Sequence, residues 1–235
     1  MTWSHTVRGG LATLVVEGTL TTASSEMLQG GTIGMPHRNA GGLLVDLSGL
    51  AVADDDAVLV FAGLVARALS HPEVLVVVCA PAVEVMRLLC ANGLDPRLVF
   101  DSVAAGRAAL LADAPAMTED LLPVTRAARQ ARGVVTEACL RWDEPDLVGP
   151  AALVASELVT NAAMHAHTMM TMQVRLRPCH VRIAVFDGSG RPAVARPPGD
   201  SGRGLHLVDA VSAAWGSTAL PTGKVVWAAL SRGTR

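Results

Sequence analysis

Two consecutive domains of mixed α and β structure are predicted by three features of the sequence. Its 235 residues are 51% hydrophobic, enough for two cores of ordinary size. Short β-branched runs such as Val74-Leu75-Val76-Val77-Val78 and Val181-Arg182-Ile183-Ala184-Val185-Phe186 alternate with stretches of helical periodicity, which implies sheets with helices packed on them. Between the two sets the periodicity lapses near Ala112-Asp113-Ala114-Pro115-Ala116-Met117. The predicted division is a first domain over 1–113, a linker over 114–119 and a second domain over 120–235.

In the first domain, Leu11 to Val16 reads as a strand, followed by a turn at Gly18-Thr19 and a weakly patterned stretch through Gln29. Gly30, Gly31, Gly34, Pro36, Gly41 and Gly42 mark a loop. Leu43-Leu44-Val45-Asp46-Leu47 is a short apolar strand, and Asp54-Asp55-Asp56 precedes a helical run from Ala57 to Leu69. After Pro72, the continuous run Val74 to Val78 suits a strand covered on both faces. Val83 to Cys90 reads as a helix stopped by Asn92-Gly93, Leu98-Val99-Phe100 as a strand, and Val103 to Leu111 as an alanine-rich helix.

The second domain opens with an amphipathic helix predicted over Leu121 to Trp142, on which Arg126, Arg129 and Arg132 form a solvated face or a partner surface. Asp143-Glu144-Pro145-Asp146 is a turn. The helix after it carries Glu157, Asn161 and His165 four residues apart, so successive members are offset by about 40° around the axis and about 6 Å along it. One face holds all three, while Ala151, Leu153, Val154, Leu158, Val159, Ala162 and Ala163 supply an apolar face for a sheet. A carboxylate and a carboxamide on one helix wall suit a magnesium-nucleotide site: the amide oxygen takes a position on the ion, and the carboxylate orients a hydroxyl or water. The strand Val181 to Phe186 then ends at Asp187-Gly188-Ser189-Gly190, and Gly202-Arg203-Gly204-Leu205 opens another helix. Trp215-Gly216 and Gly223-Lys224-Val225-Val226-Trp227 read as closing strands whose rings belong to the core.

Composition excludes several classes. A formal charge of -2 and 3% aromatic residues give neither a basic field nor stacking platforms, so direct binding of nucleic acid is not expected. Cys79, Cys90, Cys139 and Cys179 have no paired spacing, which fits a reducing compartment. His165, His167 and Cys179-His180 form no familiar metal-ligand set, and Met164, Met169, Met170 and Met172 read as gap-filling side chains. Met1-Thr2-Trp3-Ser4-His5 lacks a basic-then-apolar pattern, and charge-free runs such as Val74 to Val83 are short of a membrane span. The expectation is a cytoplasmic protein with no membrane partner.

The order of Glu157 to His165, Asp187 and Gly202 to Leu205 resembles the GHKL family of ATP-binding domains (gyrase, heat-shock protein 90, histidine kinase and MutL type), and within it the anti-sigma factor serine kinases. The resemblance implies a Bergerat-type α/β sandwich that binds ATP with Mg2+. In it, Glu157 to His165 is the N-box, with Glu157 as catalytic base and Asn161 on the magnesium. Asp187, with Gly188 and Gly190 after it, falls at the adenine-reading aspartate, and Gly202, Arg203, Gly204 and Leu205 fall beside the phosphates. The chemistry agrees: a buried carboxylate accepts from the exocyclic amine of adenine, and glycines at a helix start let N–H groups approach phosphate. The family often shows Asp-x-Gly-x-Gly, whereas this chain reads Asp187-Gly188-Ser189-Gly190. Arg191 to Ser201 would be a short lid, or an exposed Pro/Gly loop.

Residues 5 to 112 resemble the STAS domain of anti-sigma factor antagonists, through Asp46-Leu47-Ser48-Gly49-Leu50, Asp54-Asp55-Asp56 and Leu88-Leu89-Cys90-Ala91-Asn92-Gly93-Leu94. The antagonists read Asp-Ser-Ser-Gly, with the second serine phosphorylated by a partner kinase, where this chain has Asp54-Asp55-Asp56-Ala57, so the two serine positions hold Asp55 and Asp56. An aspartate has no hydroxyl to phosphorylate and carries one charge where phosphoserine carries about -1.5 to -2. It imitates the modified state permanently, or it serves only to cap the following helix. The two resemblances together imply a regulatory serine/threonine kinase of the partner-switching type. Its substrate would be a separate STAS antagonist, with a sigma factor as a further partner and a homodimer compatible with the type. A nucleotide-gated binding protein for a sigma factor or antagonist, with little or no kinase activity, is the alternative.

Overall fold

The computed structural model describes residues 1–8, 10–32, 42–69, 74–112, 114–191, 193 and 203–233. The chain divides into two units, Met1–Asp113 and Ala114–Arg235. Gly34, Pro36, Gly41, Pro72 and Gly202 lie outside the described residues, as does all of the Arg191 to Ser201 stretch except Arg191 and Ala193.

The first unit contains β1 (Thr2–Arg8), β2 (Leu11–Leu20), α1 (Thr22–Thr32), β3 (Gly42–Val52), α2 (Leu59–Leu69), β4 (Leu75–Cys79), α3 (Val83–Ala91), β5 (Val99–Phe100) and α4 (Val103–Leu111). Its sheet has the order β1-β2-β3-β4-β5, antiparallel between β1 and β2 and parallel thereafter. Alternate residues face opposite sides, so Leu43, Val45 and Leu47 meet Val76, Val78, Phe61, Leu64 and Leu28 in one core. On the other side a Cβ at Gly106 of α4 would meet Cys79 Sγ and Val77. This two-sided cover explains why β4 is apolar at every position, buried from Leu75 to Cys79. Helix α3 ends as its sequence predicts: Gly93 has φ +89°, and the Gly93 and Leu94 N–H groups donate to Cys90 O and Leu89 O.

Several boundaries differ from the sequence reading. Gly18 and Thr19 lie inside β2, Gly18 with φ +91°, where a register shift between Val15 and Glu17 lets the strand continue past the expected turn. Gly30 and Gly31 belong to α1, and Gly42 begins β3. The helix expected from Ala57 is a 3-10 turn over Asp55–Val58 followed by α2, and Leu98 ends another 3-10 turn, Pro96–Leu98, ahead of β5. Thr2–Arg8, unassigned in the sequence reading, is an edge strand whose residues are exposed except for a half-buried Trp3.

The second unit contains β6 (Ala116–Leu121), α5 (Ala127–Arg141), α6 (Val148–His165), β7 (Met170–Leu176), β8 (His180–Asp187), α7 (Arg203–Val211), β9 (Ala214–Leu220) and β10 (Gly223–Ser231). The sheet is antiparallel throughout, in the order β6-β7-β8-β10-β9. One face carries Met172, Val174, Val181, Ile183, Val185, Val226, Ala228 and Leu230 into a core with the buried sides of α5, α6 and α7. Ala184, Val225 and Trp227 lie on the other face, where the Arg182 guanidinium stands 4.8 Å from the Trp227 ring centroid.

The expected linker over 114–119 is corrected here. Ala116 to Leu121 is a strand pairing with β7, and the helix expected from Leu121 starts at Ala127. An edge strand with polar, partly exposed side chains carries little apolar periodicity, and Pro123 has no N–H for a helix to use. The stretch Pro145–His165 matches a membrane span in length and apolarity, contrary to the expectation from charge-free runs. In this fold Ala151, Val154, Ala155, Leu158, Val159 and Ala162 are buried against the sheet and the other helices, as in the core helix of a two-layer domain.

Candidate functional site

The apolar stripe of α6 turns toward the core and leaves Glu157 and Asn161 half-buried at its margin, with His165 exposed at the last turn. Helix α7 packs against α6 with its first turn at Glu157: a Cβ on Gly204 would collide with Glu157 Oε2. The approach brings residues 47 positions apart in sequence (204 − 157) into contact. Arg203 begins α7, while Leu205 is buried in the core, so its side chain supports the helix from beneath.

Asp187 ends β8 on the helix-covered face, in phase with Val181, Ile183 and Val185. Its side chain is fully buried, and Oδ1 accepts from Lys224 Nζ at 2.9 Å and from the Ser189 N–H at 2.8 Å. Oδ2 is buried with no hydrogen-bond partner among the described residues. The Gly188 N–H donates to Thr168 Oγ1 at 2.9 Å, and both Gly188 and Gly190 are exposed beyond the strand end. A carboxylate with one oxygen occupied and the other buried without a donor is suited to a ligand N–H.

Lys224 was placed by sequence reasoning only in a closing strand. The available signal was a single lysine opening an otherwise apolar strand, Val225-Val226-Trp227-Ala228-Ala229-Leu230, in which a buried ammonium requires a partner. That partner sits 37 residues away, which the local pattern does not reveal.

Cys179 Sγ and His180 Nδ1 are 3.5 Å apart, but His167 does not join them. His167 leads into β7, whose Met170 pairs with Asp187, whereas His180 begins β8 at the opposite end, about 23 Å away along the strand. Among the described residues no group of three or more His, Cys, Asp or Glu side chains is arranged to hold a metal ion. His180 is lowered to about 4 by burial, reinforced by Arg177, Arg182 and Arg232. Burial pushes the thiols of Cys79 and Cys139 up to about 11, assisted by Asp46 and Glu144 respectively. Met170 and Met172 are core residues, but Met164 and Met169 are exposed and fill no interior gap.

In the first unit, Asp55 and Asp56 are exposed in the first turn of the 3-10 segment. Neither they nor Asp54 caps that turn through a side chain. Asp54 Oδ2 instead accepts from the Thr22 N–H at 2.8 Å and Thr22 Oγ1 at 3.2 Å, so it caps the start of α1. Arg126, Arg129 and Arg132 are exposed, and Arg132 donates to Ser156 Oγ at 3.0 Å.

No protein-family model matches this chain, and no curated protein matches it. Among solved structures, it is similar to the anti-sigma factor antagonist SpoIIAA in its unphosphorylated form, at 12% identity and a TM-score of 0.39, over 46% of this chain and 94% of that one. It is similar to the phosphorylated form of SpoIIAA, the Bacillus cell fate determinant, at 11% identity and a TM-score of 0.37, over 45% and 96%. A variant of RsbS from Moorella thermoacetica gives 21% identity and a TM-score of 0.37, over 47% and 95%. These likenesses fall on the N-terminal part of the chain.

Proposed function

We propose that this chain is a cytoplasmic regulatory protein whose second unit binds ATP with Mg2+ and phosphorylates a serine or threonine of a separate STAS-type partner. The observation that carries the reading is the buried Asp187 with Oδ2 left as an acceptor, on the sheet face covered by α6. Glu157, on that helix, lies against the first turn of α7. The first unit would be the docking and regulatory part, because Asp55 and Asp56 offer no hydroxyl and leave the acceptor to another molecule.

Bound Mg-ATP would supply the phosphoryl group and the ion that neutralises charge on it. The residues of the chain divide the remaining work. Asp187 Oδ2 accepts from the exocyclic amine of the base, Asn161 holds the ion through its side-chain oxygen, and Gly204 allows backbone close to the phosphates. Glu157 takes the proton from the attacking hydroxyl, a role in which positioning and charge matter more than covalent help.

Calorimetry with magnesium and ATP on the full chain and on Asp187→Asn tests the site, with binding expected to weaken at least about tenfold in the variant. Labelled-phosphate transfer to isolated STAS proteins tests the kinase step. Glu157→Gln is expected to abolish transfer while keeping ATP binding. Binding without transfer by the unmodified chain would favour a nucleotide-gated capture protein, and no binding would remove the reading.

A further inference from the structure

Lys224 and Asp187 are register partners across β10 and β8, and both project toward the helix-covered face. Gly223 brings them together. It has φ +147°, and a Cβ there would collide with Asp187 O and approach Gly188 Cα to 2.8 Å. The turn into β10 therefore crosses the end of β8 at a distance only glycine tolerates, and the next residue is delivered beside the carboxylate. The side chains of Lys224 and Asp187 are 3% and 0% exposed, so each is the other's charge compensation.

We propose that Lys224 is the positioning residue that sets base selectivity in this site: by occupying Oδ1 of Asp187 it leaves Oδ2 as a pure acceptor, fitted to a purine bearing an exocyclic amine at its six-position. This rests on Asp187 being the base-reading group. Two donors, Lys224 Nζ and the Ser189 N–H, converge on Oδ1, so the carboxylate plane is fixed and only Oδ2 remains to read a ligand. A carboxylate accepts and cannot donate, so it takes the six-amino group of adenine and refuses the six-oxo group of hypoxanthine, which is also an acceptor. Without Lys224 the buried carboxylate loses the donor that fixes Oδ1 and the charge that compensates it, so Oδ2 is no longer held as the single reading atom and the discrimination between the two bases falls.

The test is calorimetric binding of ATP and of inosine triphosphate, with magnesium, to the full chain and to Lys224→Met, whose side chain has similar length and no charge. The unmodified chain is expected to prefer ATP by at least about tenfold, the worth of one hydrogen bond to a charged group. In Lys224→Met the ratio should fall by at least about tenfold, with inosine triphosphate binding no more weakly than before. A general loss of packing would weaken both nucleotides together and leave the ratio unchanged, which would overturn the proposal. Should the single variant not fold, Asp187→Asn with Lys224→Met replaces the pair by neutral groups. An amide can turn either its oxygen or its nitrogen to the base, so the expected ratio is near one. A preference for ATP retained in that double variant overturns the proposal. If the unmodified chain binds ATP with preference and Lys224→Met keeps it, only the role of Lys224 falls. If the unmodified chain binds neither nucleotide, the reading of Asp187 falls with it.

Discussion

The two units use similar amounts of regular structure but bury different chemistry. Among the described residues, the buried polar side chains of the first unit are Ser24 and Thr32, whereas the second buries Glu144, His180, Arg182, Asp187 and Lys224. The acidic run Asp54 to Asp56 of the first unit stays in solvent, and of its three carboxylates one caps α1. In the second unit each end of β8 has a buried ionic arrangement. One is Asp187 with Lys224; at the other, Glu144 pairs with Arg232 at 2.6 Å, while Arg232 also donates to Arg177 O and Pro178 O beside His180. Charge in solvent is screened and exchangeable, while charge in the interior needs a fixed partner, so the second unit holds the groups whose geometry is specified.

The contrast is most exposed to failure at Arg232. Arg232→Ala strands Glu144, so denaturant unfolding should show a loss on the order of 3 kcal/mol or more. Asp55→Ala, in solvent, should stay within about 0.5 kcal/mol. Equal effects from the two would dissolve the comparison.

Next in size is the acid response of His180. Its value is 6.5 when unperturbed and about 4 in the fold, so above the higher figure both states are neutral and the residue contributes fully. As pH falls through that window the unfolded chain takes the proton first, and about 3 kcal/mol of stability is lost by the time the folded value is reached. His180→Gln should flatten the pH profile of unfolding over that interval. A profile identical to that of the unmodified chain would show that the histidine is not held neutral.

A smaller effect than either belongs to Asp54. Asp54→Ala removes the acceptor at Thr22 and should cost about 1 kcal/mol, more than the same change at Asp55. Hydrogen exchange at the first turn of α1 should rise in Asp54→Ala alone. If the exchange instead rises at the start of α2, the cap acts on its own helix.

Much of the architecture was legible in local patterns. Val103 to Leu111 was delimited by its composition and is α4 over that span, helped by Ser102, whose Oγ accepts from the Ala105 N–H at 3.1 Å. Glu157, Asn161 and His165 share a helix, as their spacing requires. The edge strands β1 and β6 were not legible: they show the interior few side chains, so neither carries the apolar alternation that marks a strand. Nor were the partners of the buried charges, because Asp187 and Lys224 meet through a strand register and Glu144 and Arg232 are 88 residues apart; nor was the cap of exposed Asp54 on a helix 32 residues earlier.

The sequence by itself determined the central strands, the helix faces and the residue types available for chemistry, because these follow from side-chain periodicity over a few residues. Only the tertiary structure decided which groups are compensated and which acceptor remains for a ligand. Register between β8 and β10, and the close passage allowed at Gly223, set the pairing of Asp187 with Lys224. Such contacts depend on distances between chain segments, and the free energy of a buried charge depends on those distances far more than on its neighbours in sequence.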